Sequence, residues 1–189
     1  MSSFTRFTAL AAGLALGAAC SAPAPPPAPA PAPAVPAMSQ IERGEYIVTT
    51  GFCNDCHTPF KMGAEGPEPD MTRMLSGHPE TIKVTMPKIP AGWGFIGSPT
   101  NTAWAGPWGV SFTANLTPDQ NTGLGVWTEE MFIAAMREGK HMGKGRPILP
   151  PMPWRFVGKY TDEDLKAVFA YLKSIPPIAN RVPDPIEAK

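Results

Sequence analysis

Residues 53–57 read Cys53-Asn54-Asp55-Cys56-His57. Two thiols lie one tight turn apart, and an imidazole follows at once. Upstream, Ser39 and Glu42 match a capping box, which predicts a helix over 39–50 with Gly51 as its stop. Downstream, residues 59–127 hold nine prolines and ten glycines, and three tryptophans precede Trp127. No sustained helical period runs through that stretch. Alternation over 81–86, with Ile82, Val84 and Met86 on one side, predicts a short strand, and 108–116 predicts another. The aromatic content predicts an ordered loop-and-hairpin layer. Helices return at Thr128, an N-cap ahead of Glu129 and Glu130 with Gly139 as the stop. The last starts at Thr161, where Leu165, Val168, Leu172 and Ile175 recur at helical spacing before Pro176-Pro177.

The 189 residues carry 16 basic and 16 acidic side chains, a formal net charge of zero. That excludes a strongly basic nucleic-acid binder and an acidic tail protein. A hydrophobic content of 43% excludes global disorder. Proline is the anomaly, at 25 residues. No internal repeat is visible.

C-x-x-C-H is the attachment sequence of c-type haem. Two sulfurs at this spacing can each bond one vinyl-derived carbon at the porphyrin edge, and His57 then lies under the macrocycle. One ring nitrogen can ligate iron while the other donates a hydrogen bond that orients the ring; a carbonyl within 59–69 is the expected acceptor. Two rivals remain. A thioredoxin-like redox pair would sit in a βαβ pattern, which is absent here. A structural zinc site needs four ligands, so His78 and His141 would have to serve, at no recognisable spacing.

An iron held by one histidine has a second axial position. Among ten methionines, Met131 and Met136 fall on a helix face. Met152 differs: it lies in Arg146-Pro-Ile-Leu-Pro-Pro-Met-Pro-Trp154, where prolines restrict the backbone that presents the thioether. His141, eleven residues earlier in a glycine-rich loop, is the competing sixth ligand, though a surface histidine is the simpler reading. His78 carries no signal of its own. Met74, Leu75, Phe112, Leu116, Leu149, Trp154 and Leu172 are pocket candidates or generic core.

N-terminal helix, C-x-x-C-H, methionine loop and C-terminal helix together resemble a class I cytochrome c. Asn115-Leu-Thr-Pro-Asp119, Thr122-Gly-Leu-Gly-x-Trp127-Thr, Phe132, Arg137-x-Gly139, Pro151-Met152-Pro153-Trp154 and Thr161-Asp-Glu-Asp-Leu165 further resemble cytochrome subunits of membrane-bound periplasmic dehydrogenases. The resemblance covers about residues 40–176 and is weak across 60–110. It implies a mainly α, class I cytochrome c fold with a long loop or β-hairpin insertion between the attachment motif and the methionine loop. It implies one covalent haem c on Cys53 and Cys56, with His57 and Met152 as axial ligands. Those subunits often carry several haem domains, whereas this chain has one C-x-x-C-H.

The implied function is one-electron transfer between a dehydrogenase or quinol-oxidising complex and an acceptor such as an oxidase or another cytochrome. With both axial positions filled, no substrate site remains, so the chain is not expected to be an enzyme itself. The alternative is a haem enzyme or sensor, peroxidase-like, with a labile sixth ligand. Between Arg137 and Lys159 stand six bases, Arg137, Lys140, Lys144, Arg146, Arg155 and Lys159, against one acid, Glu138. This favours docking of an acidic partner, against the plainer reading of a solvated, unevenly charged surface.

Residues 1–20 carry one charged side chain, Arg6, then an apolar run over 9–19. That run is too short for a spanning helix of roughly 20 residues and has the size of a signal-peptide core. It ends at Cys20 after Gly17-Ala18-Ala19 and resembles a bacterial lipoprotein signal, with leucine at 16 rather than 17. Lipidation at Cys20 competes with ordinary cleavage. Fifteen of residues 21–38 are Pro or Ala, a composition that favours an extended polyproline II stalk. The expected organisation is a signal at 1–20, a linker at 21–38, a cytochrome domain at 39–178 and a polar tail at 179–189. The expected location is the periplasm, held at a membrane by the lipid.

Overall fold

The computed structural model describes residues 37–188. The expected signal segment, Cys20 and nearly all of the linker lie outside the described residues.

Helix α1, Gln40–Thr50, begins with the capping box the sequence predicts: Glu42 N–H donates to Ser39 Oγ and Ser39 N–H to the Glu42 carboxylate. It ends at Gly51, whose N–H reaches the Ile47 carbonyl. Phe52 then adopts a left-handed conformation, φ 60°, uncommon for a bulky residue, and the chain turns into the short helix α2, Cys53–His57. Helix α3, Glu129–Glu138, is capped by Thr128 and closed by left-handed Gly139. The short α4, Trp154–Val157, follows the methionine loop. Helix α5, Asp162–Ser174, is capped by Thr161.

Helices α1 and α5 cross closely because position 44 has no side chain. A Cβ at Gly44 would strike the Ala167 carbonyl and lie 2.7 Å from Tyr171 Cβ. Around this crossing the main apolar cluster assembles from Val48, Leu75, Leu124, Phe132, Ala135, Leu165 and Leu172, among others. Each fully buried leucine there contributes about 1.5–3 kcal/mol through the area it removes from water.

Between α2 and α3 two small antiparallel sheets form. One is the hairpin of β1, Phe60–Gly63, and β2, Gly66–Pro69, with Phe60 opposite Pro69. The other has the order β3 (Ile96–Gly97), β4 (Ala103–Gly106), β5 (Gly109–Phe112). Strand β5 lies inside the predicted 108–116 stretch. The strand predicted over 81–86 does not form. Ile82 and Met86 are exposed, and only Val84 tucks against the small cluster of Ala103, Ala105 and Val110. The segment pairs with neither sheet, and alternation alone does not make a strand without a partner.

The C-terminal segment expected as a tail packs on the domain. Ile186 and Val110 exchange backbone hydrogen bonds. Asn180 is buried and donates to the Ser76 and His78 carbonyls, at 2.7 and 2.9 Å, while accepting from Arg73 and from Glu80 N–H. Among the described residues, no helix is long and apolar enough to cross a membrane.

Candidate functional site

Helix α2 places Cys53 and Cys56 three residues apart, on neighbouring positions of one helical turn. Both thiols are free and half-buried. Burial pushes the Cys53 thiol up to about 11 and raises Cys56 as well, with the Asp55 charge adding to both. A redox-active pair needs a depressed thiol value to expose thiolate near neutrality, and these cysteines shift the other way. Among the described residues, no group of three or more His, Cys, Asp and Glu side chains could hold a metal ion, so the zinc reading finds no third ligand there.

His57 is buried. Its Nδ1 lies 2.8 Å from the Ala114 carbonyl oxygen. A carbonyl can only accept, so Nδ1 carries the proton and the Nε2 lone pair is left for a ligand. Burial lowers the imidazole's proton affinity, which favours the neutral ring, and the bond to Ala114 opposes this in part. The acceptor expected within 59–69 is therefore corrected to a residue 57 positions away. Three backbone contacts bring it there. Gly77 N–H donates to the His57 carbonyl, His78 N–H to the Thr113 carbonyl, and Leu116 N–H to the Leu75 carbonyl. Thr58 ties the arrangement together: its buried hydroxyl donates to Asn54 Oδ1 and accepts from Leu75 N–H. No side-chain signal could have revealed Ala114, because a backbone carbonyl leaves no trace in residue type. The nearest clue is that Asn115-Leu-Thr-Pro-Asp119 begins one residue later.

Met152 is half-buried and packs on the main apolar cluster, as Cys53 does from α2. Its loop is held at two points. Ile148 N–H donates to the Gly139 carbonyl, and Ser111 Oγ of β5 donates to the Pro150 carbonyl at 2.6 Å. Trp154 rests against Gly139, where a Cβ would collide with the indole. Of the other pocket candidates, Leu75 and Leu172 belong to the main cluster and Met74 and Leu116 pack against it. Phe112 instead joins the small cluster on the sheet. His141 is exposed, its ring edge-on to Trp127. His78 is a core histidine with both nitrogens bonded, to Thr102 Oγ1 and to the Ile82 carbonyl.

The donor set fits the haem c that the motif implies: two unpaired thiols, a neutral imidazole with one nitrogen fixed and the other free, and a thioether flanking the same core. This defines a candidate haem-c centre of the cytochrome type. No protein-family model matches the chain. It is 30% identical over 145 residues, 77% of its length, to one subunit of the nicotinate dehydrogenase of Pseudomonas putida. It is 27% identical over 74% of its length to the gluconate 2-dehydrogenase cytochrome c subunit of Pantoea cypripedii. It is 29% identical over 76% of its length to the cytochrome c subunit of a quinone alcohol dehydrogenase of Gluconobacter oxydans. The chain spans 9% of the first relative and 24% of each of the other two. The resemblance to cytochrome subunits of dehydrogenases is thus borne out over three quarters of the chain.

Proposed function

We propose that the chain is a monohaem c-type cytochrome that carries single electrons for a dehydrogenase. Cys53 and Cys56 would hold haem c through thioether bonds, and His57 and Met152 would ligate its iron, in a class I cytochrome fold that carries residues 60–110 as an insertion. The group supplies a one-electron Fe(III)/Fe(II) couple, and the soft neutral thioether favours the reduced state. The chain's residues do the rest. The Ala114 carbonyl fixes the imidazole's tautomer and plane, the proline loop limits the freedom of the thioether, and the surrounding leucines exclude water.

The observation that carries this reading is His57, neutral, buried and locked through Nδ1, directly after two unpaired cysteines. The names of the relatives support a dehydrogenase as electron donor. An oxidase or a second cytochrome suits the acceptor side. The apolar run ending at Cys20 supports export to the periplasm and a lipid tether, with the Pro/Ala segment as the stalk.

Mass spectrometry of the protein from its native host tests the reading. It is expected to show one haem mass on the 53–57 peptide and an acylated Cys20 as the first residue. The oxidised protein is expected to show a sulfur–iron charge-transfer band that Met152→Ala abolishes. A colourless protein overturns the proposal. A high-spin iron that binds cyanide rapidly would turn it towards the haem enzyme or sensor.

A further inference from the structure

Residues 110–115 run between the two places where the proposed iron ligands are held. Near the start of this segment, Ser111 is buried on β5 and gives its one hydroxyl hydrogen to the Pro150 carbonyl at 2.6 Å, two residues before Met152. The Trp104 carbonyl, at 3.4 Å, is the poorer acceptor. Near its end, the Ala114 carbonyl accepts from His57 Nδ1 at 2.8 Å. Three residues of chain, at most about 11 Å of backbone, connect these two holds.

The same segment is gripped from outside by residues 178–186. At one end, Asn115 Nδ2 donates to the Ile178 carbonyl at 2.8 Å, and Ile178 N–H donates to the Thr117 hydroxyl at 3.0 Å. At the other end, Val110 and Ile186 exchange backbone hydrogen bonds of 2.8 and 2.9 Å. This bridge occupies the edge of β5 that β4 leaves open. The approach is close because position 109 has no side chain: a Cβ there would strike the Ile186 carbonyl and lie 2.7 Å from the Ala188 nitrogen. Between the two grips, Asn180 donates to the Ser76 and His78 carbonyls, and Arg181 N–H donates to the Glu80 carboxylate at 3.0 Å. The outer segment is thus anchored along its length and cannot shift without breaking several bonds.

We propose that residues 178–186 are a positioning strap for the axial ligands. By pinning 110–115 at both ends, the strap keeps the methionine loop at a fixed distance from His57. The inference rests on the reading of Met152 as a haem ligand and deepens it. A neutral thioether stays on iron only while its loop cannot withdraw, so the strap sets how often the sixth position opens. Ile186 is not itself a ligand; it acts through β5 and Ser111.

The test uses the full-length, haem-loaded, oxidised protein. Cyanide probes an open sixth position, and the sulfur–iron charge-transfer band probes a closed one. Ile186→Pro deletes the N–H that donates to Val110. It is expected to weaken the band and to speed cyanide binding about fivefold, as for one lost hydrogen bond. A chain shortened to end at Pro183 is expected to do the same without a new proline. Ser111→Ala is expected to give a similar factor, and the double variant no more than either alone, because both cut one path. Ser39→Ala removes the α1 cap at a comparable loss of stability and is expected to leave the rate within about a factor of two. An unchanged rate in Ile186→Pro, an equal effect of Ser39→Ala, or additive effects of Ile186→Pro and Ser111→Ala overturns the inference. Failure of both strap variants to fold overturns it as well. In each of these cases an intact band in the unmodified protein leaves Met152 as the ligand. An unmodified haem protein without the band overturns both readings.

Discussion

Where α1 meets α5 the contact is close and apolar, with a glycine at the crossing and Val48, Leu165 and Leu172 buried around it. Where residues 115–122 meet the C-terminal segment the contact is polar. Asn115, Thr117 and Asn180 are buried and bond one another's neighbours: Asn115 accepts from Thr117 N–H and donates to the Ile178 carbonyl, while Asn180 N–H donates to Thr122. His78 extends this texture. Its Nε2–H donates to the Ile82 carbonyl and its Nδ1 accepts from the Thr102 hydroxyl, which is itself bonded to Thr100. The small cluster of Ala103, Ala105 and Val110 contributes little apolar area by comparison. The helical frame is thus held by burial, which tolerates exchange among side chains of similar volume. The polar region is held by directional bonds, where one lost partner leaves another group unsatisfied. The site uses both regimes. Cys53 and Met152 rest on the apolar frame, and His57 takes its orientation from the polar side.

The largest expected effect breaks the site itself: Cys53→Ala with Cys56→Ala gives protein without covalently bound haem, read by mass and by haem absorbance. Next comes the frame. Leu172→Ala is expected to lower the unfolding free energy by about 3 kcal/mol through lost burial and a cavity, and Gly44→Ala by a similar amount through the clash with Ala167. Asn180→Ala is expected to lose about 2 kcal/mol and to weaken protection of the 75–80 amides from hydrogen exchange more than those of α5. Equal loss of protection in both regions would show that the two halves unfold as one unit. Ser111→Ala removes the tie to the Pro150 carbonyl at about 1 kcal/mol, and, on the proposed ligation by Met152, faster binding of added cyanide to the haem-loaded protein is the accompanying readout.

The smallest effect is a slope. Burial holds the His78 imidazole below its ordinary value of 6.5, opposed by its bond to Ile82 and aided by the nearby Lys83 charge. The unfolded chain therefore takes up a proton at higher pH than the folded one. Stability from this group is complete above pH 6.5 and declines as pH falls towards the lowered value. Denaturant unfolding of His78→Gln is expected to be less stable at neutral pH and flatter between about pH 7 and 5. An unchanged slope would place the proton uptake elsewhere.

The helices were legible because their ends carry side-chain chemistry: Ser39 with Glu42, Thr128, Thr161, and the glycines at 51 and 139. The Cys53-x-x-Cys56-His57 motif was legible because residue type and spacing alone define it. The β1–β2 hairpin was not. Its first strand offers just two apolar residues, Phe60 and Met62, its second contains Pro67 and Pro69, and the pair is tied by Lys61 to Glu68 and Asp70 on its surface. The polar end of the chain was read as a tail because Asn180 and Ile186 have meaning only beside Ser76, His78 and Val110, which are far away in sequence.

By itself, then, the sequence determined the helical frame, the paired thiols with their adjacent imidazole, and the surplus of bases near Met152, since each is written in local side-chain identity. Only the tertiary structure decided that Ala114 orients His57, that Arg137 is neutralised while its basic neighbours stay unpaired, and that β5 braces the methionine loop. Those outcomes depend on backbone groups and charges brought together across long sequence separations, and spacing within a segment carries no record of them.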